Sequence, residues 1–258
     1  MIVDELKEEF VKELLSKGKR ADERGLLDYR AVSIDAQGVL PNAEGGAMAS
    51  IGDTKVLAGV KFDVMEPYRD KPDEGVLSFS AEFSNLAHPD FYSGPPGENA
   101  IELARVVDRG IRSAESVDAK SLFLEEKKAF GIFVDLYVLD HCGNLIDTAA
   151  LAAMAALMNT NVPKYEDGRI IRSEFTGKLN LSRTVTTCSF EKINGKLLLD
   201  ATEEEEVASD GRLTLATSSD GFICAGQKSG AAGFTKEEMM QMVGISLEKG
   251  NWLTKYLE

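Results

Sequence analysis

The chain has 258 residues, 29 Lys and Arg against 43 Asp and Glu, and a net charge of −14. That length allows one large domain or two small ones, with a core that needs no staples. The acidity excludes a surface-wide basic footprint for nucleic acid and leaves room for a local basic stripe, or for a partner that supplies the rest.

Residues 4–17 predict a helix, with Leu6, Phe10, Val11, Leu14 and Leu15 on one face and Gly18 as its stop. The charged stretch 19–30 reads as an extended connector. A strand meander is expected over 32–40 and 45–64, with Gly52-Asp53 as a hairpin turn. Alternation over 78–87 predicts a half-buried strand, and the three prolines and two glycines of 88–97 predict a loop. A helix follows at 98–115, then a strand running into a turn over 127–144. An alanine-rich buried helix spans 147–163 and is closed by Pro163. Strands are expected near 184–190, 196–200, 211–217 and 220–225. A last helix covers 235–257, with Thr235 and Glu238 as a capping box. Strands followed by helices, twice over, point to an α+β or α/β architecture with a duplicated β-α unit, and α+β with mixed sheets and packed helices is the fold class expected. The division expected is an N-terminal helix, 1–18, and a single domain, 19–258, built from two β-α halves.

Three scattered cysteines, Cys142, Cys188 and Cys224, make neither a disulfide framework nor a C-x-x-C zinc pair. No apolar run approaches the roughly 20 residues that cross a bilayer. The charged N-terminus lacks the apolar stretch of a signal peptide. The expected location is cytoplasmic and reducing, with no membrane partner.

The chemistry-bearing candidates lie on the helix at 98–115. At about 100° per residue from Ile101, Leu103, Ala104, Val106, Val107, Gly110, Ile111 and Ala114 share a sector near roughly 230°. Arg105, Arg109 and Arg112 fall opposite, between about 20° and 80°. Three guanidiniums so spaced form a cationic edge suited to phosphodiester oxygens. The alternative is a solvated face, because Glu98 and Glu102 share it and Glu102 sits three residues before Arg105.

The order of these features resembles the RNase PH family. The resemblance is carried by Lys19-Arg20-Ala21-Asp22-Glu23-Arg24, by G-E-N-A-I-E-L-A-R-V-V-D-R-G-I-R (97–112) after a Pro/Gly-rich loop, and by LLLDATEEEEVASDGRLTLA (197–216). It runs from about residue 19 to the last helix. Within the family, the longer N-terminal helix is similar to that of the non-catalytic ring subunits of the archaeal exosome. The resemblance implies an RNase PH-like fold. It implies a heterohexameric ring with a catalytic paralogue, three copies of each. It also implies RNA-binding cap proteins, and single-stranded RNA held for 3′-to-5′ phosphorolysis. Under it, Arg105, Arg109 and Arg112 are the RNA contacts, with Arg112 the weakest.

Catalytic members hold phosphate at a strand-end turn of the form D-G/A-G-S/T-R that leads into a helix. Here the stretch reads Asp140-His141-Cys142-Gly143-Asn144-Leu145-Ile146-Asp147, without the hydroxyl and the arginine, and with Asp147 placed to repel phosphate. The two family aspartates correspond to Glu204 and Asp210. The expectation is therefore an inactive paralogue, with no catalytic residue, no metal and no cofactor of its own. An active phosphorolytic exoribonuclease and a purely structural ring subunit stand as alternatives. A nucleotide enzyme is remote, since there is no G-x-x-x-x-G-K-[ST] loop.

Other residues carry weaker readings. His88 is expected on an exposed loop and His141 is left unassigned. Phe91 and Tyr92 are expected either to stack on bases or to anchor their loop. Glu203 to Glu206 read as a solvated run, a weak magnesium candidate at most. Met239, Met240 and Met242 read as core or interface packing. Phe62, Phe79 and Phe83 serve either core or interface.

Overall fold

The computed structural model describes residues 2–92 and 94–257; Met1, Ser93 and Glu258, which fall in the predicted segments 1–18, 88–97 and 19–258, lie outside the described residues. The first half contributes α1 (Ile2–Ser16), β1 (Val32–Asp35), β2 (Gly45–Ile51), β3 (Thr54–Met65), β4 (Val76–Phe83), α2 (Glu98–Ser113), β5 (Phe123–Glu125) and β6 (Lys128–Asp140). Then come α3 (Leu145–Met158) and a hairpin of β7 (Asn161–Glu166) and β8 (Arg169–Lys178). The second half has β9 (Val185–Ile193), β10 (Lys196–Leu199), α4 (Glu203–Val207), β11 (Gly211–Ser218), β12 (Ile223–Gly230) and α5 (Lys236–Thr254).

Two main sheets result, one mixed and one antiparallel. One sheet runs β1-β2-β3-β6-β4, with β4 parallel to β6 and the other neighbours antiparallel. The other runs β10-β9-β11-β12 and is antiparallel throughout. Helix α3 packs on β2, β3 and β9, so it touches both sheets. Its sequence explains that place: Ile146 to Leu157 are all buried, and alanines let two sheets approach one helix closely. A single apolar cluster takes in Phe62, Ile132, Leu151, Met154 and Phe190. A second, small cluster of Val11, Leu15, Ile193, Leu198 and Ala208 fastens α1 to the other half.

The expected α+β architecture with a β-α pattern repeated in each half is present. The Gly52-Asp53 turn joins β2 to β3 in register Ile51↔Thr54, with Gly52 at φ +58°, a conformation that favours glycine. The Thr235–Glu238 capping box opens α5. Several details differ. Among the described side chains of α1, Val11 and Leu15 are buried, whereas Leu6 and Phe10 face solvent. The strand predicted at 78–87 ends at Phe83, because it pairs with β6 only as far as Val138. Pro163 does not close α3, which stops at Asn159, but lies in β7 at a register shift, where a missing N–H is tolerated. The strand expected at 220–225 is β12, shifted later. Met242 is buried, whereas Met239 and Met240 are exposed. Among the described residues no helix is long and apolar enough to cross a membrane.

The segment 19–30 is a clamp rather than a loose connector. Arg20 is 3% exposed and pairs with Glu205. Arg24 reaches Asp200 at 2.9 Å, and Arg30 meets both Asp200 oxygens, at 2.7 and 2.9 Å. Arg30 also donates to the carbonyls of Cys142 and Gly143, at 2.7 and 3.1 Å. The chain's first connector thereby holds the end of β6 and the start of α4 in fixed relation.

Candidate nucleic-acid interface

Helix α2 presents the predicted faces. Ala100, Leu103, Ala104, Val106, Val107, Gly110 and Ile111 are buried against β4, α3 and β12, while Arg105, Arg109 and Arg112 are exposed. The three arginines are not equivalent. Arg112 donates to Asp108, at 2.6 and 3.3 Å, and to the Leu77 carbonyl at 2.7 Å. Arg109 donates to the neutral Gln227 side chain at 2.8 Å. Arg105 has no ion pair or hydrogen-bond partner among the described residues. The pairing expected between Glu102 and Arg105 is absent; Glu102 lies 3.5 Å from Arg212 instead.

Beside α2 is a cleft of about 170 Å³, lined by Phe83, Phe91, Glu102, His141, Glu206 and Arg212 among others. His141 comes from the turn 141–144, and Leu145 and Ile146, at the start of α3, line the cleft too. Gly143 has φ +91°, and a Cβ there would meet the Ala201 carbonyl oxygen at 2.4 Å, so the turn lies flush on the segment before α4. Asn144 adopts the left-handed conformation at φ 56° and opens α3. Thr54, buried in β3, donates its hydroxyl to the Gly143 carbonyl at 2.6 Å and accepts the Cys142 N–H at 3.1 Å.

The N-terminus of α3 already holds an anion. The backbone N–H of Asn144 donates to Glu206 Oε1 at 2.8 Å. Free amides and the helix dipole favour a negative group at such a place, and here the chain's own carboxylate supplies it. Burial pushes the Glu206 carboxyl up, against the Asn144 amide and the charges of Arg212 and Arg30, which pull it down. Asp147 is not a surface charge placed to repel phosphate. It is fully buried and accepts from Tyr29 and Ser189 hydroxyls at 2.8 Å each, Thr187 at 2.9 Å, and the Ser189 N–H and Asn144 amide at 3.0 Å. Burial raises its carboxyl in spite of these donors. Burial also acts on Asp200, but the Arg30 hydrogen bonds and charge outweigh it and hold that carboxyl below its usual value.

The other acids diverge. Glu204 and Asp210 are both exposed; Asp210 accepts the Asn194 N–H at 2.8 Å. Glu203 faces His88 at 3.1 Å, Glu205 faces Arg20, and Glu206 faces Asn144. The acidic run is therefore no solvated strip. It is helix α4, opened by a Thr202–Glu205 capping box, and its turn sends successive carboxylates in different directions. Among the described residues no group of three or more His, Cys, Asp or Glu side chains is arranged to hold a metal ion.

The Pro/Gly loop is anchored from one end. Phe91 packs on Phe83, with centroids 4.7 Å apart, and stacks on His141 at 5.6 Å; His88 meets His141 at 5.4 Å. His88 is thus part of an aromatic stack, not an exposed loop residue. Burial and the neighbouring His88 lower the His141 pKa. Tyr92 is 82% exposed and free to meet another surface. The recess under this loop, about 960 Å³, has Glu82, Asp90 and Glu98 as its charged lining, which is unsuited to a polyanion. The cationic edge of α2 is the surface that suits one.

The order of elements, the arginine helix and the turn at 141–144 match a known pattern. Residues 28–163 match the 3′ exoribonuclease family, domain 1, and residues 184–249 match its domain 2. The chain belongs to this family, the RNase PH family. Among its relatives, the exosome complex component Rrp42 of Thermococcus kodakarensis is 43% identical, over 93% of this chain and 89% of that protein. Rrp42 of Methanothermobacter thermautotrophicus is 36% identical, over 100% and 96%. A solved chain from the Archaeoglobus fulgidus exosome with RNA bound to the active site superposes with a TM-score of 0.93 at 38% identity, covering all of both chains. An archaeal exosome core chain gives 0.87 at 37% identity, covering 100% of this chain and 98% of its own. The family membership fixes the fold as RNase PH-like, and the chain is similar in sequence to exosome components named Rrp42.

Proposed function

We propose that this chain is the non-catalytic, RNA-holding ring subunit of a phosphorolytic 3′-to-5′ exoribonuclease complex. The observation that carries this is the Glu206 carboxylate on the Asn144 N–H, 2.8 Å away, at the start of α3. Phosphorolysis needs an inorganic phosphate seated to attack the terminal phosphodiester, and catalytic members of the family seat it at this turn. Here an internal anion occupies the amide, Leu145 and Ile146 follow it in place of a hydroxyl and an arginine, and Glu204 and Asp210 do not converge. A second anion beside Glu206 meets like-charge repulsion.

The cationic edge of α2 supports the other half of the reading. Arg105 and Arg109 grip the phosphates of a single strand whose scissile bond lies in the catalytic paralogue, and Arg112, tied to Asp108, adds least. Three copies of each subunit alternate in a ring with RNA-binding cap proteins on one face, and the complex works in the cytoplasm. The two sheets around α3 act as one ring-building block, with α1 attached to it.

The test is to mix the chain with its catalytic paralogue and measure phosphate-dependent RNA shortening and nucleoside diphosphate release. The chain alone releases none; the mixture does. Robust release by the chain alone overturns the reading. An assembled ring in which cross-linked RNA never attaches near residues 105–112 favours the purely structural alternative.

A further inference from the structure

Among the described residues Arg105 is an unpaired guanidinium on a helix rich in acids, and that state needs an explanation. Its own helix carries a carboxylate three residues before it, Glu102, and another three residues after it, Asp108. Opposite charges at this spacing attract on a helix surface. Both acids are engaged elsewhere. Asp108 is held by Arg112, at 2.6 and 3.3 Å. Glu102 is held from another element: Arg212 Nη2 lies 3.5 Å from Glu102 Oε1.

Arg212 is well placed for this. It sits on β11, in register with Glu191 on β9 and Ser229 on β12. Its side chain is about three-quarters covered, at 24% exposure, and its Nε lies 3.9 Å from Glu191 Oε1. Glu206 and Glu102 line the same cleft. With acids on several sides, Arg212 has no charge left for a phosphate group and does not serve as an RNA contact itself. Its surroundings also fix its direction: the strand sets its root, Glu191 flanks its Nε, and its outer nitrogen is left to face α2.

We propose that Arg212 is a positioning residue for strand binding: it draws Glu102 off the arginine face of α2 and thereby keeps Arg105 free for a phosphate. This rests on the RNA-holding reading given above. Without Arg212 the Glu102 carboxylate turns to Arg105, three residues on. The strand must then break that pair before it can use the guanidinium. The loss is the strength of one exposed pair, about 1.4- to 2.3-fold in affinity.

The experiment uses the full chain assembled with its catalytic paralogue and a short fluorescein-labelled single-stranded oligouridylate, read by anisotropy across a salt series. Arg212→Met weakens binding by the stated factor, and adding Glu102→Gln to it restores wild-type affinity. Loss without recovery in the double variant overturns the proposal, because a merely structural role for Arg212 is not repaired by neutralising Glu102. Wild-type affinity in Arg212→Met overturns it as well. If near-ultraviolet circular dichroism shows that Arg212→Met does not fold, Arg212→Lys takes its place. That variant keeps a charge but not the reach to Glu102 that the 3.5 Å contact needs, so a partial weakening is expected, again repaired by Glu102→Gln. Arg105→Ala separates the two levels. If it leaves affinity unchanged, the RNA-holding reading itself fails; if it weakens binding while Arg212→Met does not, only the positioning role fails.

Discussion

Replacing Arg20 by methionine isolates the clamp on which the site geometry depends. Arg20 donates Nε and Nη2 to the two Glu205 oxygens, at 2.9 and 2.6 Å, and its other hydrogens reach the Leu199 and Asp200 carbonyls at 2.9 and 2.7 Å. Both side chains are out of water, at 0% and 4% exposure. Removing one partner of such a buried pair leaves an uncompensated charge and costs about 3–5 kcal/mol. Glu205 also caps α4 by accepting the Thr202 N–H at 2.8 Å, so its withdrawal loosens the helix that carries Glu206. The double variant Arg20→Met/Glu205→Gln keeps a side chain able to close the capping box and removes the stranded charge. It leaves two carbonyls without their donor, at about 1 kcal/mol each. Urea unfolding of the full chain reads the difference in midpoint. The single variant loses about 3–5 kcal/mol, and the double variant recovers at least about 1 of it. A single variant within about 1 kcal/mol of wild type, or a double variant no better than the single, refutes the account of Arg20 as a buried electrostatic clamp.

Two further outcomes follow from the same geometry. In the assembled ring, Arg105→Ala/Arg109→Ala lowers the salt slope of single-stranded RNA binding by about 1.4, two contacts at about 0.7 each; a salt titration by anisotropy checks it, and Arg105 contributes more because Arg109 must first leave Gln227. Burial pushes the Glu191 carboxyl from 4.5 up to about 7. A group raised on folding stabilises the protein below its unfolded value and loses that contribution as pH rises through the folded one. Stability therefore falls between pH 4.5 and about 7, at up to about 1.4 kcal/mol per pH unit. Glu191→Gln, compared by thermal unfolding across that range, removes this part of the slope; an unchanged slope counts against it.

The fold was legible in the sequence wherever one local period dominated. The apolar sector of α2, the buried alanine helix α3 and the Gly52 hairpin turn all follow from neighbours a few residues apart. What escaped was decided across the chain. Arg20 and Glu205 are 185 positions apart, so no spacing rule marks Arg20 as a core residue. Four consecutive glutamates look alike in sequence, but α4 turns each about 100° from the last, sending Glu205 inward and Glu206 to the start of α3. The hairpin of β7 and β8 escaped because β8 is exposed along most of its length and shows no alternation. Leu6 and Phe10 were expected inward because the period gives a face without saying how far the partner surface extends. Degeneration of the turn at 141–144 was readable by comparison of residue types. That a carboxylate had moved onto its amide was not, since that carboxylate comes from α4, 62 positions away.

The central claim is that the grip for a polyanionic strand persists while the seat for the attacking phosphate is filled by Glu206. Calorimetric titration of the isolated chain with inorganic phosphate, run beside its catalytic paralogue, tests this most directly. The account predicts saturable heat from the paralogue and none from this chain. Saturable binding to this chain, with phosphate located on the Asn144 amide, contradicts it.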